Sequence, residues 1–345
     1  MKIEDLWYGG HWLFWPLVPL AGLFRLGAML RRWAFERGWL ASERLPVPVI
    51  VVGNLSVGGT GKTPLVLWLV DWLRCRGWRP GVILRGYGGQ ARDWPQAVLA
   101  TSDPRQVGDE AVLLARKSGG PVAAGPDRVA AGRLLLTSPP CHTPCHTPCD
   151  TPCDILISDD GLQHYRLRRD LEILVIDASR GFGNGFCLPA GPLREPRARA
   201  REIPLRVSTG GPWPGAESLT LWAGDLVSLR DPSRTRPLTS LKGQRVTAVA
   251  GIGNPERFFA LLRQAGLHVD ERPYPDHHAF TATDVASWPP GPLIMTEKDA
   301  VKCLTFAGDD HWYLPVAAVP SAAFAQQLSQ AIDNLPQAIS TLIHG

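Results

Sequence analysis

Short, mostly apolar runs alternate along this chain with segments of helical periodicity. Runs of this kind occupy residues 49–52, 80–84, 155–157 and 171–177, and they are rich in Val, Ile and Leu. An apolar run without regular polar alternation is typical of a parallel strand that is covered on both faces. The pattern therefore predicts an α/β fold built on a parallel sheet.

An apolar segment, residues 12–24, lies near the start of the chain and is interrupted by Pro16 and Pro19. Its thirteen residues before Arg25 are fewer than the roughly 20 that a membrane-spanning helix needs. Tryptophans and arginines surround it, and this combination suits the headgroup boundary. We therefore expect residues 1–45 to form a helical segment that lies in a membrane surface. A helix packed on the protein and a single membrane span are the alternatives.

A glycine-rich turn follows the first apolar run and precedes a predicted helix. Its glycines allow backbone N–H groups to turn towards an anion, and the N-terminus of the helix favours negative charge. The turn matches the P-loop pattern G-x-x-x-x-G-K-[ST], except that Ser56 replaces the first glycine. The predicted nucleotide-contacting residues are Ser56, Val57, Gly58, Gly59, Thr60, Gly61, Lys62 and Thr63. A glycine turn that only packs a strand on a helix is the alternative.

Two acidic residues, Asp159 and Asp160, follow the run 155–157. A P-loop enzyme places a magnesium-binding carboxylate at such a strand end, because Mg²⁺ prefers oxygen ligands. A P-loop together with this acidic pair predicts a site for a nucleotide and Mg²⁺. The alternative for the pair is a surface turn.

Other polar residues are weaker candidates for function. Arg85 and Tyr87 follow the second predicted strand, where loops line the ligand crevice of parallel sheets, but an ordinary turn fits equally well. Asp109 and Glu110 begin a predicted helix, where acidic residues commonly interact with the helix dipole. His277, followed by another histidine, is either a general base or a surface residue.

A cluster of arginines follows the proline-rich loop 188–196. They either face a phosphorylated lipid or an anionic membrane, or are simply solvated. The arginines are Arg197, Arg199, Arg201 and Arg206.

Length and composition narrow the classes of protein. The 345 residues predict two domains, and the net charge of +4 is too small for a general nucleic-acid binder. Seven cysteines without a secretory signal favour a reducing compartment. We expect a core domain at 46–209, a proline- and glycine-rich linker region at 210–240 and a smaller α/β domain at 241–345.

Four cysteines form a repeat, CHTPCHTPCDTPC, at residues 141–153. With His142 and His146, these are the donor types of a zinc site. The repeat lacks paired C-x-x-C knuckles and has a proline in every unit, which is typical of a duplicated surface loop. We therefore expect no functional metal there.

Taken together, the motifs resemble those of the tetraacyldisaccharide 4'-kinases, which make lipid A in Gram-negative bacteria. The resemblance covers nearly the whole chain, in order, and Ser56 resembles the family's own P-loop variant. The matching motifs are GNLSVGGTGKTP (53–64), RGYG (85–88), VGDE (107–110), DDGLQH (159–164), PAGPLREP (189–196), DH (276–277) and TEKDAVK (296–302).

The resemblance implies a P-loop NTPase-type parallel sheet core, a smaller α/β lid domain and an N-terminal membrane-associated helix. It implies transfer of the γ-phosphate of ATP to the 4'-hydroxyl of a tetraacyldisaccharide 1-phosphate, which forms lipid IVA. The implied partners are ATP, Mg²⁺, an acylated disaccharide lipid and the cytoplasmic face of the inner membrane, which the N-terminal helix contacts peripherally or enters shallowly. We expect a monomer and no nucleic-acid partner.

Residue roles follow from the same resemblance. Lys62 is implied to contact the β- and γ-phosphates, and Mg²⁺ is implied to be bound by Thr63, Asp159 and Asp160. Asp109 is implied to accept the proton of the sugar hydroxyl, paired with His277. His164 and Glu195 are similar to active-site residues of the family.

Two other classes of protein remain as alternatives. One is a regulatory P-loop ATPase of the partitioning or metal-chaperone kind; such proteins often carry a lysine where this chain has Val57. The other is a membrane-bound nucleotide sensor that hydrolyses nothing.

Overall fold

The computed structural model describes residues 3–137 and 153–335. The strands are β1 (Val49–Gly53), β2 (Pro80–Leu84), β3 (Gln96–Val98), β4 (Val122–Ala124), β5 (Ile155–Asp159), β6 (Leu171–Asp177), β7 (Leu205–Thr209), β8 (Glu217–Ala223), β9 (Leu226–Ser228), β10 (Thr235–Arg236), β11 (Arg245–Ala250), β12 (His268–Pro273), β13 (Leu293–Thr296), β14 (His311–Leu314) and β15 (Val316–Pro320). The α-helices are α1 (Ile3–Tyr8), α2 (Val18–Glu36), α3 (Lys62–Arg74), α4 (Pro104–Val107), α5 (Asp109–Lys117), α6 (Arg128–Thr137), α7 (Arg199–Glu202), α8 (Pro255–Gln264), α9 (Ala282–Ala286), α10 (Glu297–Cys303) and α11 (Ala322–Asp333).

The larger sheet has nine strands in the order β15-β8-β7-β6-β1-β5-β2-β4-β3. Its seven inner strands are parallel, and the two edge strands, β15 and β3, are antiparallel to their neighbours. Every residue of β1 is buried, as its unbroken apolar run predicts. Val52 pairs with Asp159 on one side and Ile173 on the other, so the loops after β1, β5 and β6 emerge together. The α/β parallel core is confirmed.

The smaller sheet has six strands in the order β10-β9-β14-β13-β11-β12, of which β14, β13, β11 and β12 are parallel. It has its own core, in which Phe259 from α8 packs with Trp312 and Leu226. The loop after β11 emerges at the carboxyl end of this sheet, where it meets the larger one.

The chain passes between the two sheets more often than the predicted boundaries suggest. β8 lies within the predicted linker region, yet it pairs in parallel with β7 in the larger sheet. Near the C-terminus, β15 pairs with β8, and Phe324 of α11 packs in the larger core with Leu65. These elements return to the larger sheet because β15 pairs with β8 and the apolar face of α11 is buried in the larger core.

The N-terminal segment forms one nearly continuous helix, because a 3₁₀ helix at Trp12–Leu17 leads directly into α2. Arg25 does not interrupt it, so the argument that the apolar segment is too short was wrong. Trp12–Glu36 is long and apolar enough to cross a membrane by length and composition. Within α2 only Ala21 is buried, so most of this apolar helix is not covered by the protein.

Candidate active site

The glycine-rich turn lies between β1 and α3, and hydrogen bonds of Asn54 hold it in shape. Gly61 adopts a φ of 86°, which favours glycine, and Lys62 then begins the helix. The Lys62 ammonium Nζ lies 3.2 Å from Asn54 Oδ1, and the Asn54 amide donates to Gly58 O at 3.2 Å. Asn54 therefore connects the two ends of the turn.

Neighbouring segments support the other side of this turn. Ser56 is buried and forms an isolated bridge with Leu193, and the Val57 N–H donates to Pro192 O at 2.8 Å. The Thr209 hydroxyl at the end of β7 donates to Thr60 O at 3.0 Å. The loop 189–196 and β7 thus fix the turn from both sides.

Asp159 is the last residue of β5 and Asp160 follows it, but the surroundings of the two carboxylates differ. Asp160 is 3.4 Å from Lys62 Nζ, and both of its carboxylate oxygens accept hydrogen bonds from Arg194, at 3.0 and 2.8 Å. Burial acts to raise the pKa of Asp160, but Lys62 and Arg194 outweigh it and lower the pKa below its usual range. Burial and the nearby Glu110 carboxylate raise the pKa of Asp159 to about 7.

A buried arginine, Arg128, lies behind this acidic pair. Its guanidinium donates to the carbonyl oxygens of Asp159 and Asp160 at 3.3 and 3.4 Å, and burial lowers its pKa to about 10. The backbone N–H of Arg128 donates to His164 Nε2 at 3.4 Å. Burial and the Arg128 charge lower the pKa of His164 to about 4, so this imidazole is neutral near pH 7. Arg85 is exposed, and its charge also acts to lower the pKa of Arg128.

Glu195 is buried in a network of hydrogen bonds rather than facing open solvent. Its carboxylate accepts from the Gln163 amide at 3.0 Å and from the Tyr165 hydroxyl. Gln163 also donates to Asn54 O at 3.2 Å. Glu195 thus connects the loop after β5 to the glycine-rich turn.

A carboxylate and an imidazole from distant parts of the chain form the second half of the site. Asp109 begins α5, directly after Gly108 with a φ of 94°, and its Oδ1 lies 2.9 Å from His277 Nδ1. Burial acts to raise the pKa of Asp109, but His277 and Lys298 outweigh it and lower the pKa to about 2. The exposed ring of Tyr87 lies 4.7 Å from the His277 ring, centroid to centroid.

Two lysines of α10 surround this pair. Lys298 Nζ lies 3.1 Å from Glu110 Oε1 and 3.3 Å from His277 Nε2. Lys302 Nζ is 3.5 Å from Asp109 Oδ2 and is held by the fully buried Asp299 at 2.7 Å. Asp109 is therefore a buried carboxylate among three cationic or hydrogen-donating groups.

The loop after β11 brings the two halves together. A Cβ on Gly253 would lie 2.8 Å from Gly59 N in the glycine-rich turn and 3.3 Å from Asp276 Oδ2, next to His277. Arg180, in the loop after β6, donates to Gly253 O at 3.1 Å. Gly253 thus lies between the glycine-rich turn and Asp276, the residue that precedes His277.

The donor set suits a magnesium ion that is shared with phosphates. Asp159 Oδ1 is buried and has no hydrogen-bond partner among the described residues. Within residues 3–137 and 153–335 no three His, Cys, Asp or Glu side chains form a ready metal cage. Mg²⁺ does not need such a cage, because it keeps several waters and binds one or two carboxylates together with substrate phosphates. Asp159 fits this requirement, and Thr63 lies in the first turn of α3.

A family model described as tetraacyldisaccharide-1-P 4'-kinase matches residues 13–333. The chain belongs to the tetraacyldisaccharide 4'-kinase family. It is 49% identical to the tetraacyldisaccharide 4'-kinase of Nitrosococcus oceani over 94% of this chain and 92% of that protein, and 48% identical to that of Alkalilimnicola ehrlichii over 94% of each.

This chain is also similar to a protein whose structure has been solved. It is the crystal structure of an "apo" form of LpxK from Aquifex aeolicus in complex with ATP. The TM-score is 0.73 with 27% sequence identity, covering 92% of this chain and 99% of that one. The fold and the family expected from the motifs are therefore confirmed.

The structure brings most of the predicted site residues into one cleft, while their roles stay predictions. Several residues that contact them were assigned no role from the sequence, among them Asn54, Arg128, Arg194 and Lys298. Arg194 and Lys298 lie inside matched motifs, which was the available signal; Asn54 also lies in a motif but is a common turn residue. Arg128 had no signal, because an arginine at a helix start is unremarkable in sequence.

The predictions for the arginines after the loop 188–196 and for the cysteine repeat have different outcomes. Arg199 is buried and its Nη2 donates to both carboxylate oxygens of Glu172, at 2.6 and 2.5 Å, so it neither faces a lipid nor is solvated. That prediction was wrong because α7 turns this side chain inward. The Cys-His-Thr-Pro repeat lies outside the described residues, apart from Cys153, which is buried.

Proposed function

We propose that this protein transfers the γ-phosphate of ATP to the 4'-hydroxyl of a tetraacyldisaccharide 1-phosphate, forming lipid IVA. The observation that supports it most is the Asp109–His277 pair, joined at 2.9 Å and set across Gly253 from the glycine-rich turn. An ATPase that only hydrolyses or senses nucleotide has no need of a buried carboxylate base that is paired with a histidine from a second sheet. A kinase needs one to accept a proton from its acceptor hydroxyl.

In this proposal the glycine-rich turn binds the phosphates of ATP. The N–H groups of residues 56–63, apart from that of Val57, which donates to Pro192 O, surround the β-phosphate. Lys62 contacts the β- and γ-phosphates. The ammonium of Lys62 lies between Asn54 and Asp160, and these two contacts direct it along the turn. Phosphoryl transfer depends mainly on such positioning and on charge stabilisation.

Mg²⁺ would be held by Thr63 and Asp159, with Asp160 close by. When bound, the ion neutralises charge that develops on the phosphates. Of the two acidic residues Asp159 is the better ligand, because one of its oxygens has no partner among the described residues, while Asp160 is bound by Arg194. A cation there would also favour the ionised form of Asp159, which burial disfavours.

Asp109 would accept the proton of the sugar hydroxyl. The hydroxyl oxygen forms its bond to the γ-phosphorus, the bond to the bridging oxygen of ADP breaks, and the proton passes to Asp109. With a pKa of about 2, Asp109 is a weak base. It acts late, because the hydroxyl becomes acidic only as its oxygen bonds to phosphorus. His277 and Lys302 hold the carboxylate in place.

The N-terminal helix would bring this site to its insoluble substrate. Its uncovered apolar residues suit the cytoplasmic face of the inner membrane, and we propose that the helix lies in the surface or enters it shallowly. Arg31 in α2 donates to Gln163 O at 3.0 Å, next to the Glu195 network. The lipid surface would therefore lie beside the active site. The smaller sheet serves as the lid, and the protein acts as a monomer.

The decisive experiment supplies purified protein with ATP, Mg²⁺ and the disaccharide lipid in mixed micelles. We expect one phosphate to be added at the 4'-position. Asp109→Asn should lower kcat by a factor on the order of 10² to 10⁴ while ATP binding is retained. Asp103→Asn is the matched control, because it exchanges one good helix cap for another at α4. ATP consumption that is equal with and without lipid, with the lipid unmodified, would refute the kinase assignment.

A further inference from the structure

The ammonium of Lys298 contacts three groups, and its chemistry requires each of them to be a hydrogen-bond acceptor. Its Nζ is 3.1 Å from Glu110 Oε1, 3.2 Å from Asp276 Oδ1 and 3.3 Å from His277 Nε2. A lysine ammonium carries three hydrogens and no lone pair, so it donates to each neighbour and accepts from none. All three of its donors are thereby used.

This geometry determines the tautomer of His277. Because Lys298 donates to Nε2, that nitrogen must carry a lone pair, and the proton of the neutral ring must be on Nδ1. Nδ1 is the nitrogen that lies 2.9 Å from Asp109 Oδ1. His277 therefore donates to Asp109, which stays an ionised carboxylate. A second proton on Nε2 would point at the ammonium.

We propose that Lys298 is a positioning residue that holds His277 as the Nδ1–H tautomer and so keeps Asp109 oriented as the base. This inference rests on the proposed role of Asp109. Lys298 also joins α10 to α5 through Glu110, and His277 reaches Asp109 of α5, so this group of contacts connects the second sheet to the first.

The charges around His277 oppose one another. Burial and Lys298 act to lower the pKa of His277, while the hydrogen bond to Asp109 raises it, and the net shift is upward. The charged and titratable groups that face this region are Asp109 and Glu110 from α5, Lys298 and Lys302 from α10, Asp276 from the histidine's own loop, and Tyr87 from the loop after β2. Removing Lys298 leaves the carboxylates dominant, so protonation of His277 becomes easier.

Lys117 offers a matched control at the same helix interface. Its ammonium lies 2.9 Å from Glu297, so it also joins α5 to α10. Glu297 is not among the three groups that the Lys298 ammonium contacts. Lys298→Met and Lys117→Met each remove one ammonium from this interface. Lys298→Arg keeps a cationic donor and tests rescue.

The experiment combines imidazole ¹⁵N NMR of full-length protein with pH profiles of lipid phosphorylation, and His277→Gln assigns the resonance. We expect wild-type His277 to be the Nδ1–H tautomer when neutral. Lys298→Met should mix the tautomers, lower kcat at neutral pH and move the acid limb of kcat up by about one pH unit, with KM for ATP within about twofold. Lys117→Met should match wild type, and Lys298→Arg should restore part of kcat.

Two results would overturn the inference: a wild-type His277 with its proton on Nε2, or identical pH profiles for Lys298→Met and Lys117→Met. The wild-type spectrum decides the tautomer even if Lys298→Met does not fold. It also separates the two proposals, because the tautomer is measured without turnover. A protein that shows the Nδ1–H tautomer but leaves the lipid unmodified would refute the kinase proposal alone.

Discussion

Asp109 shows how a buried carboxylate keeps its charge in this protein. Its side chain is almost inaccessible, which by itself disfavours the ionised form. His277 donates to Oδ1 at 2.9 Å, the Glu110 N–H donates to the same oxygen at 2.8 Å, and Lys302 lies 3.5 Å from Oδ2. These interactions outweigh burial and lower the pKa from 3.8 to about 2.

The lowered pKa predicts an acid dependence of stability. A carboxylate whose pKa is lower in the folded state stabilises the protein above its unfolded pKa of 3.8, and this contribution is lost as the pH falls through about 2. Between pH 6 and pH 3 the loss amounts to about 1 kcal/mol. The free energy of unfolding of wild type, measured in urea, should therefore fall by about that much more than that of Asp109→Asn.

Asp103→Asn is again the control, because Asp103 is an exposed helix cap. Its unfolding free energy should follow the pH dependence of wild type over the same range. Parallel curves for wild type and Asp109→Asn would contradict the lowered pKa.

At the same scale, the sequence identified residues whose type and spacing carry chemistry. Lys62 follows a glycine-rich turn, and Asp159 follows an apolar run, so both could be found from local pattern. Arg128 could not, because its function depends on the backbone carbonyls of Asp159 and Asp160, which lie 31 and 32 residues away along the chain.

At the scale of elements, the buried parallel strands were the easiest to predict. β1, β2, β5 and β6 lie in the middle of a sheet covered on both faces, so their runs are mainly apolar, with Glu172 of β6 as an exception. β8 falls inside the predicted linker region 210–240, because prolines and glycines surround it in the sequence. Its pairing with β7 is visible only in the tertiary structure.

The α2 helix carries a prediction at this scale. Leu23 and Leu26 are exposed by 67% and 53%, and burial of one leucine side chain in an apolar phase is worth about 1.5 to 3 kcal/mol. Replacing both by glutamate should lower binding to phospholipid vesicles by at least roughly tenfold per residue. Co-flotation with vesicles of phosphatidylethanolamine and phosphatidylglycerol measures this binding.

Trp222 supplies the control for that experiment, because it is also 67% exposed but lies on β8 in the larger sheet. Trp222→Ser should float as wild type does. Equal loss of flotation in both variants, or unchanged flotation of the double leucine variant, would place the membrane contact elsewhere.

At the scale of the whole molecule, the site exists only where the two sheets meet. Gly253 lies against the glycine-rich turn so closely that a Cβ would be 2.8 Å from Gly59 N, a backbone atom that cannot rotate away. Arg257, from α8 of the second sheet, donates to Thr209 at the end of β7 at 3.3 Å. The second sheet is therefore seated directly on the first.

Gly253→Ala should disturb this seating. Forcing a methyl group into a well-packed contact costs about 1 to 3 kcal/mol, so we expect turnover to fall on the order of tenfold. Amide hydrogen exchange of residues 56–63 should become faster, because the turn loses its cover. Gly224→Ala is the control, since a Cβ there meets its nearest atoms at an ordinary 3.8 Å. Unchanged exchange and turnover in Gly253→Ala would show that the contact is not needed.

The sequence by itself determined the class of fold and the family, and it supplied the candidates for the reactive residues, whose roles stay predictions. It could do so because buried parallel strands have unbroken apolar runs, and because phosphate binding requires glycines followed by a lysine at a helix start. The pairing of Asp109 with His277, 168 residues apart, was implied only by the family resemblance; the tertiary structure gave its geometry and showed that Lys298 contacts His277. Those contacts depend on how two sheets pack, and no local pattern encodes that packing.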